Sequence, residues 1–207
     1  MRLAEQLAQG VAQLGLSLLP GTQERLLDYL ALLQKWNRVY NLTAVREPSD
    51  MVSQHLLDCL AVVPHISART ILDVGSGAGL PGIPLALAMP HAHITLVDSN
   101  QKKAAFLRQA VIELGLGNVA VECVRVESWR PASLFELVIS RALSDVPELV
   151  ALAGHLVTVG GTLAAMKGVY LDEGLGNLPY GFRLRATQAL SVPGLTASRH
   201  LLLLART

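Results

Sequence analysis

Four glycines fall within eight residues of the stretch DVGSGAGLPGIP (Asp73 to Pro84), with apolar runs on both sides. A chain uses glycine at this density where it must turn sharply, because glycine adopts backbone conformations that a Cβ forbids. The residues ahead of it, TILDV, read as a short buried strand. Those behind, opened by Pro81 or Pro84, read as a helix. A strand–glycine turn–helix unit points to an α/β fold with a parallel sheet.

The rest of the chain repeats that rhythm. HITLVDS (His93 to Ser99) is a second strand, Gln101 to Leu114 a helix, VAVECV a third strand and LFELVIS (Leu134 to Ser140) a fourth. Asp145 caps a helix that runs to about Val157, and GGTLAAMKG gives a fifth strand. RLRATQALSV and SRHLLLLART are two further strand-like runs joined by Pro193-Gly194, which suits a hairpin at the end of the sheet. Residues 1 to about 66 are helical instead. Leu3, Leu7, Val11 and Leu14 recur at helical spacing and Gly15 closes that helix. Thr22 reads as the N-cap of a helix through Trp36 and Tyr40 that ends at Asn37 and Asn41. A third helix runs from about Asp50 to a stop at Pro64. The expected organisation is a helical cap (residues 1–66) on a doubly wound domain (residues 67–207), forming one structural unit.

Bulk properties narrow the function. A chain of 207 residues with 51% apolar and 16% charged residues has enough material for one core. No apolar run reaches the ~18 residues of a membrane span, and the start has no signal-peptide core. Cys59 and Cys123 lack metal-ligand spacing and read as buried free thiols. The expectation is therefore a cytoplasmic protein without a metal, and nothing demands more than a monomer. A net charge of +1 does not advertise nucleic-acid binding, but Lys35, Arg38 and Arg46 cluster in one segment and Lys102, Lys103 and Arg108 in another.

The loop carries two overlapping signatures. Gly77, Gly79 and Gly82 form the dinucleotide pattern GxGxxG, which would suit an NAD-dependent oxidoreductase. Asp73, Gly75, Gly77 and Gly79 form DxGxGxG, the pattern of S-adenosylmethionine enzymes. A P-loop is excluded because no Lys-Ser/Thr follows the last glycine. Asp98 ends the second strand, 19 residues after Gly79; its carboxylate can accept both hydroxyls of a ribose, a need the two cofactors share. Val126 and Glu127 could flank and hydrogen-bond an adenine, and Arg141 ends the fourth strand beside the same crevice. After strand four the chain reads ISRALSD, without the Asn/Asp-Pro-Pro-aromatic run that polarises an amine acceptor and without a cysteine nucleophile. An acceptor with a ready lone pair, such as a ring nitrogen, needs neither.

Across nearly its whole length the sequence resembles the bacterial 16S ribosomal RNA guanine-N7 methyltransferases, the glucose-inhibited division protein B family. The motifs that carry the resemblance are LLQKWNRVYNLTAVREP (Leu32 to Pro48), HLLDCL (His55 to Leu60), LDVGSGAGLPGIPLA (Leu72 to Ala86), LVDS, FLRQ, RVES (Arg125 to Ser128), ISRAL (Ile139 to Leu143) and MKG. The resemblance implies a Rossmann-like class I S-adenosylmethionine-dependent methyltransferase fold. It also implies a substrate guanine in 16S rRNA or the small ribosomal subunit, and cofactor contacts at Gly75, Leu80, Val126, Glu127 and Arg141. Asp73, Gly77, Gly79 and Asp98 join them on the arguments above. A flipped-out guanine would need stacking and phosphate contacts. Arg38, Arg46, Lys167 and His55 are the candidates, with Trp36 and Tyr40 for stacking. Trp36 and His55 also suit purely structural roles, and Trp129, Phe135 and Phe182 read as packing.

Overall fold

The structure, a computed structural model, describes residues 2–141, 145–168, 176 and 178–207. A seven-stranded sheet is ordered β3-β2-β1-β4-β5-β7-β6. Its strands are β1 (Thr70–Val74), β2 (His93–Val97), β3 (Val119–Glu122), β4 (Phe135–Arg141), β5 (Val157–Lys167), β6 (Phe182–Leu190) and β7 (Arg199–Arg206). The first five are parallel, while β7 runs antiparallel to β5 and β6 antiparallel to β7. The chain winds outward from β1 to β3 and returns to β4, so strand order reverses between β1 and β4. Ligands of such sheets bind at the carboxyl ends beside that reversal.

The helices are α1 (Leu3–Gln13), α2 (Thr22–Tyr40), α3 (Pro48–Met51), α4 (Asp58–Leu60), α5 (Gly82–Ala88), α6 (Gln101–Glu113) and α7 (Val146–Ala153). Alternation along each strand sorts the core into two layers. Ile71, Leu137, Ile139, Leu201 and Leu203 share a cluster with Leu7, Leu26, Leu33 and Leu60 of the N-terminal helices. Leu72, Val138, Leu163, Leu202 and Leu204 face the other way, onto Val146, Leu149 and Val150 of α7. Trp129, Phe135 and Phe182 pack in this second layer, as expected. Among the described residues no helix is long and apolar enough to cross a membrane.

Several local expectations need correction. The N-cap of α2 is Gly21, in a left-handed conformation; Thr22 is the first helical residue and is buried. Asn41 does end α2, with φ 48°, but Asn37 lies inside it. The Asn37 amide is buried and both donates to and accepts from the Thr43 backbone, at 3.0 and 2.9 Å, so its polarity serves a loop rather than a helix end. The third helix is broken by a π-helical turn, Val52–Leu57, between α3 and α4. Nearly every residue there is buried, so the apolar pattern had no face from which to read the changed winding. The helix after β4 stops at Ala153, and Val157 already belongs to β5. Cys59 is buried, and burial pushes its thiol up, whereas Cys123 is only half-buried. Ala142 and Leu143 of ISRAL lie outside the described residues.

Candidate active site

The glycine loop leaves β1 and is tied down on the side facing β2. Gly75, Gly77 and Gly79 have φ of 69°, 56° and 87°, a region in which a side chain is strained. The N–H groups of Gly75 and Ser76 both donate to the Val97 carbonyl, at 2.9 and 3.0 Å. Gly77 N–H donates to Asp98 Oδ2 at 3.0 Å, and Asn100 N–H to Asp98 Oδ1 at 2.8 Å. Asp98 is therefore gripped by backbone on both oxygens, and a carboxylate oxygen has a second lone pair for a further donor. Asn100 also caps α6 through the N–H groups of Lys102 and Lys103.

A cleft of about 260 Å³ opens between the ends of β1, β2 and β3. Asp98, Ser99 and Gly75 line one side, Val126 and Glu127 another, and Val74, Val97, Val124 and Leu152 supply apolar wall. Lys103 and Arg125 complete it. The carboxylates of Asp98 and Glu127 thus share a mixed slot with these aliphatic side chains. Such a slot can take a flat base and offer acceptors to ribose hydroxyls and a base amine.

Asp73 does not reach this cleft. It is fully buried beneath the loop, where Oδ2 accepts from Gly82 N–H at 2.9 Å and Oδ1 has no partner. Burial pushes its carboxyl up to about 7, against the lowering effect of the Gly82 N–H. A Cβ on Gly82 would sit 2.1 Å from Leu96 Cδ2 and 2.7 Å from Asp73 Oδ2, so this glycine lets α5 dock onto the sheet. Leu80 is buried, and Gly77, Gly79, Leu80 and Arg141 do not line the cleft either. Gly79 belongs to the helix packing, since its Cβ would meet Ile83 Cδ1 at 2.4 Å.

Arg141 turns toward the cap. Its Nη1 donates to the Gln54 carbonyl at 2.9 Å and pairs with Asp58 Oδ2 at 3.2 Å, while Arg199 Nε pairs with Asp58 Oδ1 at 3.0 Å. His55, on the π turn, bonds Thr43 Oγ1 through Nε2 at 2.8 Å; burial and then the Arg141 charge lower its pKa to about 4. Lys167 ends β5 opposite His200. His55, Arg141 and Lys167 thus gather at the carboxyl edge of the sheet. Arg38 and Arg46 are both exposed near the end of α2, and Arg46 bonds Asn41 Oδ1 at 3.1 Å. Trp36 is half-buried, stacked on Tyr40 at 5.2 Å and tilted on Phe106 at 5.5 Å. Asp58, Arg199, Ser99 and Lys103 went unmarked as site residues in the sequence. Lys103 and Ser99 could have been found from their nearness to Asp98, whereas nothing local marks the Asp58 pairings.

A family profile described as rRNA small subunit methyltransferase G matches residues 22–202. The chain belongs to that family. Relatives of the name "Ribosomal RNA small subunit methyltransferase G" include that of Nitrosospira multiformis, 57% identical over 100% of this chain and 99% of its own length. That of Laribacter hongkongensis is 52% identical over 97% of each chain. Among solved structures, the N-methyltransferase NodS of Bradyrhizobium japonicum, in complex with S-adenosyl-L-homocysteine, superposes with a TM-score of 0.57 over 84% of this chain and 98% of its own, at 14% identity. TrmN of Thermus thermophilus gives 0.54 over 83% and 53%, at 20% identity. Those two likenesses establish the class I methyltransferase fold. Membership of this methyltransferase family decides against the dinucleotide oxidoreductase alternative for GxGxxG.

Proposed function

We propose that this methyltransferase acts on N7 of a guanine in 16S ribosomal RNA, with S-adenosylmethionine as donor and the cleft beside Asp98 as the donor's seat. The observation that carries the reading is the 57% identity, end to end, to a relative named for small-subunit ribosomal RNA. The cleft fits the donor chemically: Asp98 suits the ribose hydroxyls, Val126 and Leu152 the faces of the adenine, and Glu127 its amine. When bound, the cofactor supplies an electrophilic methyl on a sulfonium.

The acceptor simplifies what the protein must do. N7 of guanine is unprotonated at neutral pH, so no residue need remove a proton. His55, buried and held neutral, accordingly keeps a positioning role. Catalysis then rests on orientation, worth up to about 7–11 kcal/mol in favourable cases. The purine gains positive charge as it is methylated, so a cation pressed against the ring would oppose reaction. Arg141 meets that requirement by spending its charge on Asp58. Arg38, Arg46 and Lys167 serve the flanking phosphates, and the Trp36–Tyr40 pair offers a stacking face.

Purified protein, tritiated S-adenosylmethionine and undermethylated small-subunit particles should give label at a single guanine, located by N7-specific strand scission. No label on either particles or naked 16S RNA would refute the activity. Asp98→Ala should abolish S-adenosylhomocysteine binding in calorimetry with the native far-ultraviolet spectrum retained; unchanged affinity would remove Asp98 from the seat.

A further inference from the structure

Tyr29 stands in the interior of α2, fully buried, and its phenol donates to the Ala78 carbonyl at 2.5 Å, 49 residues away. Ala78 is itself buried and sits between Gly77 and Gly79, at the crest of the glycine loop. We propose that Tyr29 is a positioning residue for the methyl donor: from the cap, it fixes the crest of the loop and so sets cofactor affinity without lining the cleft. This rests on the cleft being the donor's seat.

The argument starts from the loop's composition. Three glycines at positive φ leave the segment free to rearrange. The Ser76 carbonyl closes its inner turn by accepting from Gly79 and Leu80, and external tethers set how that turn is presented. On the β2 side these are the Val97 carbonyl and Asp98 Oδ2. On the opposite side, facing the cap, the tether is the Tyr29 hydroxyl. Burial pushes the phenol well above its usual pKa, so it stays a donor throughout the working range.

Removing that hydroxyl would strand a buried carbonyl, which is costly enough for the peptide to turn in search of a donor. The carbonyl belongs to the Ala78–Gly79 peptide, and Gly79, at φ 87°, is the hinge that lets that peptide turn. Turning it would pull the Gly79 N–H off the Ser76 carbonyl, 2.7 Å away, and loosen the turn that presents the Gly77 N–H to Asp98 Oδ2, the acid that the ribose needs in place. A cap residue thereby acts on the cofactor through one peptide group.

Tyr29→Phe keeps the ring and tests the hydroxyl alone. In the full-length protein, the Kd for S-adenosylhomocysteine and the KM for S-adenosylmethionine should both rise about tenfold, the effect of one lost buried hydrogen bond. The KM for ribosomal RNA should stay within twofold. Leu7→Ala, a cavity on α1 at a fully buried side chain that makes no hydrogen bond to the loop, should lower the melting temperature more than Tyr29→Phe and leave the cofactor Kd within twofold. Equal affinity of Tyr29→Phe and wild type, or equal weakening by Leu7→Ala, would overturn this inference alone. Wild-type protein that binds no S-adenosylhomocysteine would overturn the proposed seat and this inference with it.

Discussion

The cleft beside Asp98 and the polar seam around Asp58 lie at the same edge of the sheet and are built in opposite ways. The cleft draws mainly on three short segments, each following a strand: residues 74–75, 97–103 and 124–127. Its polar contacts are backbone N–H groups on one carboxylate, and its geometry follows from local turns. The seam joins Thr43, His55 and Asp58 of the cap to Arg141 of β4 and Arg199 of β7. It depends on one buried carboxylate meeting two half-buried guanidiniums across 83 and 141 residues of chain. The cleft is consequently cheap to perturb without unfolding the protein, while the seam is where the cap is electrostatically bonded to the sheet.

The sharpest way to break this contrast is Asp58→Ala. Asp58 is 3% exposed and balances two arginines whose side chains are about a quarter exposed. Its loss leaves both cations without their partner, and stability measured in urea should fall by about 3–5 kcal/mol. A loss below about 1 kcal/mol would show that water already screens the pairings.

The next effect is pH-dependent and sets a seam residue against a β1 residue beneath the glycine loop. His55 is held at about 4 against an ordinary 6.5, so between those values the unfolded chain binds a proton that the folded protein lacks, and stability rises with pH. Asp73 is pushed from 3.8 to about 7, so over the same range the folded protein keeps a proton that the unfolded chain has lost, and stability falls with pH. The two slopes oppose each other, each worth about 3–4 kcal/mol at full extent. In Asp73→Asn only the His55 slope survives, and urea midpoints should show stability climbing by about 3 kcal/mol from pH 4 to pH 6.5 relative to wild type. An unchanged profile would mean that these two groups do not govern acid stability.

Gly77→Ala probes the loop more gently. A Cβ there has room, with the Gly75 carbonyl oxygen 3.7 Å away, but the φ of 56° remains strained. A loss of about 1 kcal/mol is expected from the backbone alone, with a larger loss pointing to contacts beyond it. The smallest effect belongs to Arg38→Ala. Arg38 is exposed, so thermal stability should change by less than about 0.5 kcal/mol. If Arg38 meets an RNA phosphate, the salt slope of RNA binding should drop by about 0.7–0.9. An unaltered slope would place the RNA contact elsewhere.

The contrast also marks what could be read in advance. The parallel strands were legible because a parallel sheet covered on both faces writes apolar runs such as TILDV and LVIS, and β6 and β7 because Pro193-Gly194 separates two strand-like runs. Of the cleft, Asp98, Val126 and Glu127 were found because each sits within a few residues of a strand end. Asp73 was assigned to the ligand on the strength of its motif; its carboxyl accepts from the Gly82 N–H beneath the loop and lies outside the lining of the cleft, a placement that needs the loop's path and not its letters. Arg141 was named as a cofactor contact by the family resemblance and by its place at the end of strand four; its guanidinium meets the Gln54 carbonyl and Asp58, partners that the π turn supplies and no local pattern announces.

By itself the sequence determined the architecture, the family and the location of the glycine loop, since alternation, glycine spacing and strand-end acids are encoded within a few residues of one another. Tertiary structure alone decided what lies behind that loop. A tyrosine in α2 meets the Ala78 carbonyl, and an aspartate in α4 meets arginines of β4 and β7, because folding brings distant polar groups into places from which water is excluded. There an unpaired group is costly, and its partner is chosen by position in space rather than by nearness along the chain.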